Sequence, residues 1–126
     1  LASCSPTLIE VSTRVEGEPR PFALSAENNL LHIGQEALTN AVKHGKASRI
    51  EVTLVYADHA FSLRVQDDGR GFDVQVPTAR GRLGLVGMRE RALEIRGRVK
   101  VTSAINRGTE VEVWVPFEPM TLSQAG

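Results

Sequence analysis

The stretch Asp67-Asp68-Gly69-Arg70-Gly71-Phe72 decides how the rest of this chain is interpreted. It follows Phe61-Ser62-Leu63-Arg64-Val65, which alternates apolar and polar residues as a half-buried strand does. A carboxylate at a strand end, followed by two glycines, leaves room for a flat hydrogen-bonding ligand, because glycine permits positive φ and close approach to the backbone. Asp68-Gly69 is also a strong turn signal, and residues 72–76 alternate as a returning strand would. Taken alone, the stretch favours a plain hairpin.

The composition is that of a single soluble globular domain: 126 residues, 41% hydrophobic and 24% charged. Fifteen basic and fifteen acidic residues cancel, which argues against direct binding of nucleic acid or an anionic membrane. No apolar run approaches the ~20 residues of a membrane span. One cysteine, Cys4, excludes an internal disulfide. Because the chain begins at Leu1 rather than at Met, we expect it to be part of a longer protein.

One long helix is predicted from an N-cap at Ser25 to about His44, with Gly45 ending it. At ~100° per residue, one broad arc of this helix is apolar and is predicted to face the core. Its members are Leu30, Ile33, Gly34, Ala37, Leu38, Ala41 and Val42. Glu36, Asn40 and Lys43 lie in a strip roughly 60° wide at the edge of that arc. By itself such a strip is typical of a solvated helix border.

The remaining segments predict strands at residues 9–15, 49–56, 61–65, 98–102 and 109–115. Short turns at 57–59 and 106–108 join two antiparallel hairpins, and the polar alternate positions leave one sheet face uncovered. Residues 68–83 are loop-like. Gly84-Leu85-Val86-Gly87 then opens a second helix, predicted from Met88 to about Arg96. Free amides at that helix start suit phosphate, although a plain glycine-rich connection fits equally well.

Three strings in this order resemble the ATP-binding domain shared by bacterial histidine kinases, type II topoisomerases, the Hsp90 chaperone and MutL. They are residues 35–44 (Gln-Glu-Ala-Leu-Thr-Asn-Ala-Val-Lys-His), residues 67–72 and residues 84–91 (Gly-Leu-Val-Gly-Met-Arg-Glu-Arg). The resemblance covers residues 25–117 and is greatest to histidine kinases of the nitrate-sensor type, which are paired with LuxR-like response regulators.

The resemblance implies an α+β fold of the Bergerat type. This is a two-layer sandwich in which helices cover one face of a mixed, mostly antiparallel sheet. A mobile ATP lid is expected at residues 73–83. The whole chain, 1–126, is expected to form one ATP-binding domain with its core at 9–117.

The same resemblance assigns site residues. Glu36 would be the catalytic base or polariser, and Asn40 would coordinate Mg²⁺ on the ATP phosphates, near Lys43 and His44. Asp67 would accept a hydrogen bond from the adenine amine, and Thr109 would reach adenine through water. Further backbone and cofactor-binding positions are Gly69, Gly71, Gly84, Leu85, Gly87 and Met88.

The implied reaction is transfer of the γ-phosphoryl group from ATP to a histidine on a dimerisation segment, and then to a response regulator. None of His32, His44 and His59 suits that phosphoacceptor role. The present chain is therefore expected to bind ATP but to autophosphorylate inefficiently. Its parent would act in the cytoplasm, either free or anchored to a membrane, as a homodimer formed through the missing segment.

Two related alternatives remain at this stage, an ATP-dependent binding switch and an anti-sigma-type serine kinase. A carboxylate such as Glu36 near the γ-phosphate favours chemistry over simple binding. A nucleic-acid binder using Arg89, Arg91 and nearby arginines is disfavoured by the interleaved Glu90 and Glu94.

Overall fold

A computed structural model describes residues 8–117. In chain order its elements are β1 (Glu10–Gly17), α1 (Leu24–Thr39), a π-helical turn (Asn40–His44), β2 (Arg49–Tyr56), β3 (Ala60–Asp67), α2 (Pro77–Arg82), α3 (Leu85–Glu94), β4 (Arg98–Ser103) and β5 (Thr109–Pro116). Within this described part, no helix combines the length and apolar character needed to cross a membrane.

The five strands form one sheet in the order β1-β2-β3-β5-β4. β1 runs parallel to β2, while the other three pairings are antiparallel. The parallel pair follows from α1, which returns the chain across the sheet before β2 begins. The predicted α+β fold with a mixed, mostly antiparallel sheet is confirmed. The alternative hairpin through residues 72–76 is wrong, because β3 pairs with β5 and those residues form no strand.

The core lies between the sheet and the helices α1 and α3, which contact each other. Its largest fully buried side chains come from both layers: Ile33, Ile50, Met88 and Val113. Four members of the predicted arc of α1 are buried, namely Leu30, Ile33, Ala37 and Ala41. At the opposite end of the domain from Asp67, Phe22 packs edge-on against Phe61 and stacks on Phe117.

Val42 was expected in the core but is 42% exposed. The reason is the π-helical turn that ends α1: the Gly45 amide donates to the Asn40 carbonyl at 2.8 Å, and the Ala47 amide to the Ala41 carbonyl at 3.0 Å. These bonds span five and six residues, so the turn is wider than an α-helix and a 100° wheel fails there. Such turns occur frequently at functional sites.

The predicted start of α1 is also wrong. The helix begins at Leu24, with Ala23 in the extended N-cap position, and Ser25 lies inside the first turn. Ser25 contributes its carbonyl instead, which accepts a bond of 2.9 Å from the buried amide of Asn29. The helix entry is therefore stabilised by a buried side chain one turn later rather than by a capping hydroxyl.

The segment expected to be loop-like contains the short helix α2. Pro77 occupies its first turn, a position that suits the fixed φ of proline. Ala79 within the helix and Leu83 directly after it are buried. The next helix, α3, starts at Leu85 rather than Met88, because Gly84 takes a left-handed conformation (φ 71°) at its N-cap. Only the tertiary packing of Ala79 and Leu83 distinguishes this segment from an open loop.

Substitution of Gly108, the residue directly before β5, tests the backbone conformation there. Gly108 has φ 77°, and a Cβ there would strike the Asp67 carbonyl, so we expect Gly108→Ala to lower the free energy of unfolding by more than about 1 kcal/mol. The matched control is Gly81→Ala in α2, where a Cβ would meet nothing within 4 Å and should be neutral or slightly stabilising. Urea denaturation of both variants measures the difference; equal stabilities would contradict the assigned backbone conformation.

Candidate nucleotide-binding site

Asp67 and Asn40 open onto one cleft between the ends of α1 and β3. Of the residues expected from the sequence, six line it: Asn40, His44, Asp67, Gly71, Leu85 and Thr109. The other six lie beside the cleft or outside its lining: Glu36, Lys43, Gly69, Gly84, Gly87 and Met88. Arg82 and Leu83, the last two residues of the expected lid segment, also line it.

The Asp67 carboxylate lies at the end of β3, opposite Thr109 on β5. Its Oδ1 accepts a 2.8 Å bond from the Gly69 amide. Partial burial raises the pKa of Asp67, and the charge of Asp68 adds to this, whereas the amides of Gly69 and Thr109 oppose it. Two carboxylate oxygens can accept about four hydrogen bonds, so capacity remains for a ligand donor from the cleft.

A hydroxyl network that the sequence did not reveal surrounds Thr109. Ser103 Oγ accepts from the Phe72 amide at 2.9 Å, donates to the Gly108 carbonyl at 3.0 Å, and lies 2.8 Å from Thr109 Oγ1. Because the single Ser103 proton goes to Gly108, the Thr109 hydroxyl donates to Ser103. Thr109 Oγ1 then offers only lone pairs to the cleft, beside the acceptor oxygens of Asp67.

Two glycines bring the helix end against the strand end. The Arg70 amide donates to the Gly45 carbonyl at 2.7 Å, and a Cβ on Gly69 would lie 2.5 Å from that same oxygen. Any side chain at position 69 would therefore push the two segments apart. Gly71, with φ 64°, packs in the same way against the Ala104 carbonyl in the β4–β5 turn.

Asn40 is the first residue of the π-helical turn, and its Nδ2 donates to the Leu83 carbonyl at 2.7 Å. That bond leaves Oδ1, a neutral oxygen of the kind Mg²⁺ accepts. No group of three or more His, Cys, Asp or Glu side chains suited to a metal occurs between residues 8 and 117. A Mg²⁺ ion held here would take one protein ligand from Asn40 Oδ1 and its other ligands from phosphate and water.

The Glu36 side chain of α1 lies against the start of α3. A Cβ on Gly84 would overlap the Glu36 carboxylate, so that carboxylate lies directly at the helix N-terminus. The Gly84 amide donates to Gly81 at 3.2 Å and the Met88 amide to Gly84 at 3.1 Å, and the Met88 side chain is only 2% exposed. The amides with no partner inside the helix are those of Leu85, Val86 and Gly87. The Met88 side chain therefore belongs to the core. The Lys43 side chain, in the π-helical turn, is exposed.

The cleft is narrow, with a free volume of about 50 Å³. Ligand sites usually enclose ~300–1,000 Å³, so the cleft is smaller in this conformation than a typical ligand site. A larger cavity of about 390 Å³ lies at the other end of the domain, next to Phe22, Phe117 and the arginine Arg20 that stacks on Phe117 at 3.7 Å. None of the expected site residues lines this larger cavity. The smaller cleft, which six of them line, is therefore the candidate site.

Residues 25–119 match the family of histidine kinase-, DNA gyrase B- and HSP90-like ATPases. The chain belongs to this family. The family is one of ATPases, so the chain is a domain of an ATP-binding class.

Among named relatives, the sensor histidine kinase LiaS of Bacillus subtilis is 42% identical over 107 residues, which are 83% of this chain and 29% of that protein. The sensor protein VraS of Staphylococcus aureus is 39% identical over 91 residues, 72% of this chain and 26% of that protein. The chain thus spans less than a third of the length of either relative. These names agree with the enzyme class expected from the sequence, protein-histidine kinase.

Solved structures show the same fold. The ATP-binding domain of PrrB from Mycobacterium tuberculosis superposes with a TM-score of 0.69 at 22% identity, covering 94% of this chain and 86% of that one. The histidine kinase domain of the blue-light activated kinase EL346 from Erythrobacter litoralis gives 0.66 at 23% identity, covering 85% and 55%.

The adjacent carboxylates Asp67 and Asp68 should show opposite pH dependence. The pKa of Asp67 is raised in the folded state, so its ionisation costs stability as pH rises from the ordinary value of 3.8 through the folded value. We expect Asp67→Asn to raise the free energy of unfolding at neutral pH, with the gain vanishing below that ordinary value. The pKa of Asp68 is lowered, so its stabilisation is present at neutral pH and is lost on acidification.

Urea denaturation across this pH range measures both effects, with Asp68→Asn as the comparison variant. A variant Asp67→Asn that is less stable than the wild type at neutral pH would show that the carboxylate is not penalised by burial.

Proposed function

We propose that this chain is the ATP-binding catalytic domain of a two-component sensor histidine kinase, and that Asp67 and Asn40 hold the two ends of Mg-ATP. The observation that carries the proposal is their shared cleft, which also contains Thr109 and the start of α3. The names of the relatives support the kinase assignment.

At the inner end, Asp67 and Thr109 would recognise adenine. Both present acceptors, and the exocyclic amine of adenine is a donor, whereas guanine carries an acceptor oxygen at that place. The contact with Asp67 is charge-assisted, which makes it strong for a single bond. Gly69 and Gly71 would shape the loop beside the ring, because side chains there would collide with the carbonyls of Gly45 and Ala104.

At the outer end, the triphosphate would run toward the start of α3. The amides of Leu85, Val86 and Gly87 would bind phosphate oxygens, aided by the positive end of the helix dipole. His44, Lys43 and Arg82 are available to neutralise the remaining charge. Bound Mg²⁺ would bridge phosphate oxygens and offset their charge, with Asn40 Oδ1 as its protein ligand.

Glu36 lies one helical turn before Asn40 and directly against Gly84. This places a carboxylate beside the amides proposed to hold phosphate. There it would accept a proton from, or polarise, the attacking histidine of a dimerisation segment supplied by the full-length protein. The phosphoryl group would pass onward to an aspartate of a response regulator, and the quoted strings favour a LuxR-like one. A homodimeric parent with this domain in the cytoplasm completes the proposal.

Calorimetry with ATP, ADP and GTP tests the adenine assignment. We expect the chain to bind ATP and ADP and to discriminate against GTP. Asp67→Asn should weaken ATP binding by roughly 1.5–3 kcal/mol, the scale of a hydrogen bond to a charged group. Asp58→Asn, which changes an exposed acid in the distant β2–β3 turn, serves as the control. Equal affinity of wild type and Asp67→Asn for ATP would remove Asp67 from this role.

Asn40→Ala tests the magnesium assignment. The variant should lose the increase in ATP affinity that Mg²⁺ produces in the wild type, because it lacks the oxygen that would join the cation to the protein. Binding of adenosine, which needs no cation, should change little. Titrations of both ligands with and without Mg²⁺ measure the effect, and a full magnesium response in Asn40→Ala would contradict it.

A further inference from the structure

Asp68, the second carboxylate of the central stretch, has no role in the binding scheme above, yet it makes three hydrogen bonds at the strand end. Its Oδ1 accepts from the Ser48 amide at 2.8 Å and from the Arg49 amide at 2.9 Å. Its own amide donates to the Arg49 carbonyl at 3.2 Å. Asp68 therefore fastens the end of β3 to the start of β2 through three bonds, although its side chain is exposed.

The segment that Asp68 holds is short. Residues 45–48 connect the π-helical turn with Asn40 to β2, and they include Lys46 in the left-handed region at φ 53°. A non-glycine residue in that region persists only where its surroundings hold it there. The linker is held on one side by Ala47, which is 2% exposed and bonded to Ala41, and on the other side by Asp68.

The charge of Asp68 suits this task. The two amides and the nearby Arg49 lower the pKa of Asp68, so the carboxylate remains ionised well below neutral pH. Hydrogen bonds to an ionised acceptor are shorter and stronger than neutral ones. The linker is thus fixed against the residue that immediately follows Asp67.

We propose that Asp68 is a positioning residue that sets the spacing between the adenine end of the cleft, at Asp67, and the phosphate end, at Asn40. The inference rests on the proposed nucleotide-binding function. A ligand that spans both ends gains affinity when the two ends are held at the right separation before binding, whereas a ligand that occupies one end gains nothing. ATP and ADP span the cleft and adenosine occupies only the adenine end.

The experiment compares ATP, ADP and adenosine on the wild type, Asp68→Ala and Asp68→Asn. In Asp68→Ala we expect the dissociation constants of ATP and ADP to rise about fivefold, while that of adenosine stays within about twofold. Asn retains Oδ1, the oxygen that accepts both amide bonds, but lacks the charge that strengthens them, so Asp68→Asn should have an ATP affinity between those of wild type and Asp68→Ala. Asp58→Ala removes an exposed acid from the far β2–β3 turn and should leave all three ligands unchanged.

Thermal unfolding shows whether each variant is folded at the assay temperature. If Asp68→Ala is not, Asp68→Glu replaces it, because its longer side chain keeps the charge but displaces the accepting oxygen; the same selective loss of ATP and ADP is expected.

Equal losses for adenosine and ATP would overturn the proposal by showing a general structural role, and so would no loss at all. An Asp68→Asn variant as weak as Asp68→Ala would overturn the hydrogen-bonded link. A wild-type protein that binds none of the three ligands would instead refute the nucleotide-binding function itself, and the spacing role with it.

Discussion

The candidate site depends on one close backbone contact, where Gly69 lies against the Gly45 carbonyl and Arg70 donates to the same oxygen. This contact joins the end of the first helix to the end of the third strand. Without it, Asp67 and Asn40 would belong to separate elements with no common cleft. The absence of a Cβ at position 69 is what permits the approach, since a methyl group would already overlap the carbonyl.

The two ends of the cleft differ in how their polar groups are satisfied. Asp67 and Thr109 each have their internal bonds arranged so that acceptor lone pairs remain, which suits a donor ligand. The two atoms of the Asn40 side-chain amide differ: the nitrogen donates to the Leu83 carbonyl, and the oxygen would be available to a cation. Leu83 directly follows α2 and lines the cleft, so the Asn40 side chain also fastens this segment to the end of the first helix.

Periodicity was a good guide where one kind of geometry persisted over many residues. The strands and the long helix were found because alternation and 3.6-residue repeats are local properties. The guide failed where a tertiary contact changed the local geometry. Val42 is exposed because of the π-helical turn, and the N-cap of the first helix is Ala23, two residues before Ser25. Residues 77–82 form a helix whose member Ala79 is buried. Ser103 and Asp68 were missed because a serine on a strand and an exposed acid carry no pattern of their own.

By itself, the sequence determined which chemical groups are present and the order in which they occur: an acid and an amide one turn apart on a helix, a carboxylate before two glycines, and a glycine-led helix start. Those features are local, so they survive as patterns in the chain. Only the tertiary structure decided that β5 lies between β3 and β4, which sets Thr109 opposite Asp67 and places Ser103 beside it. Strand order and the approach of Gly45 to Gly69 depend on contacts between segments distant along the chain, and no local pattern encodes such contacts.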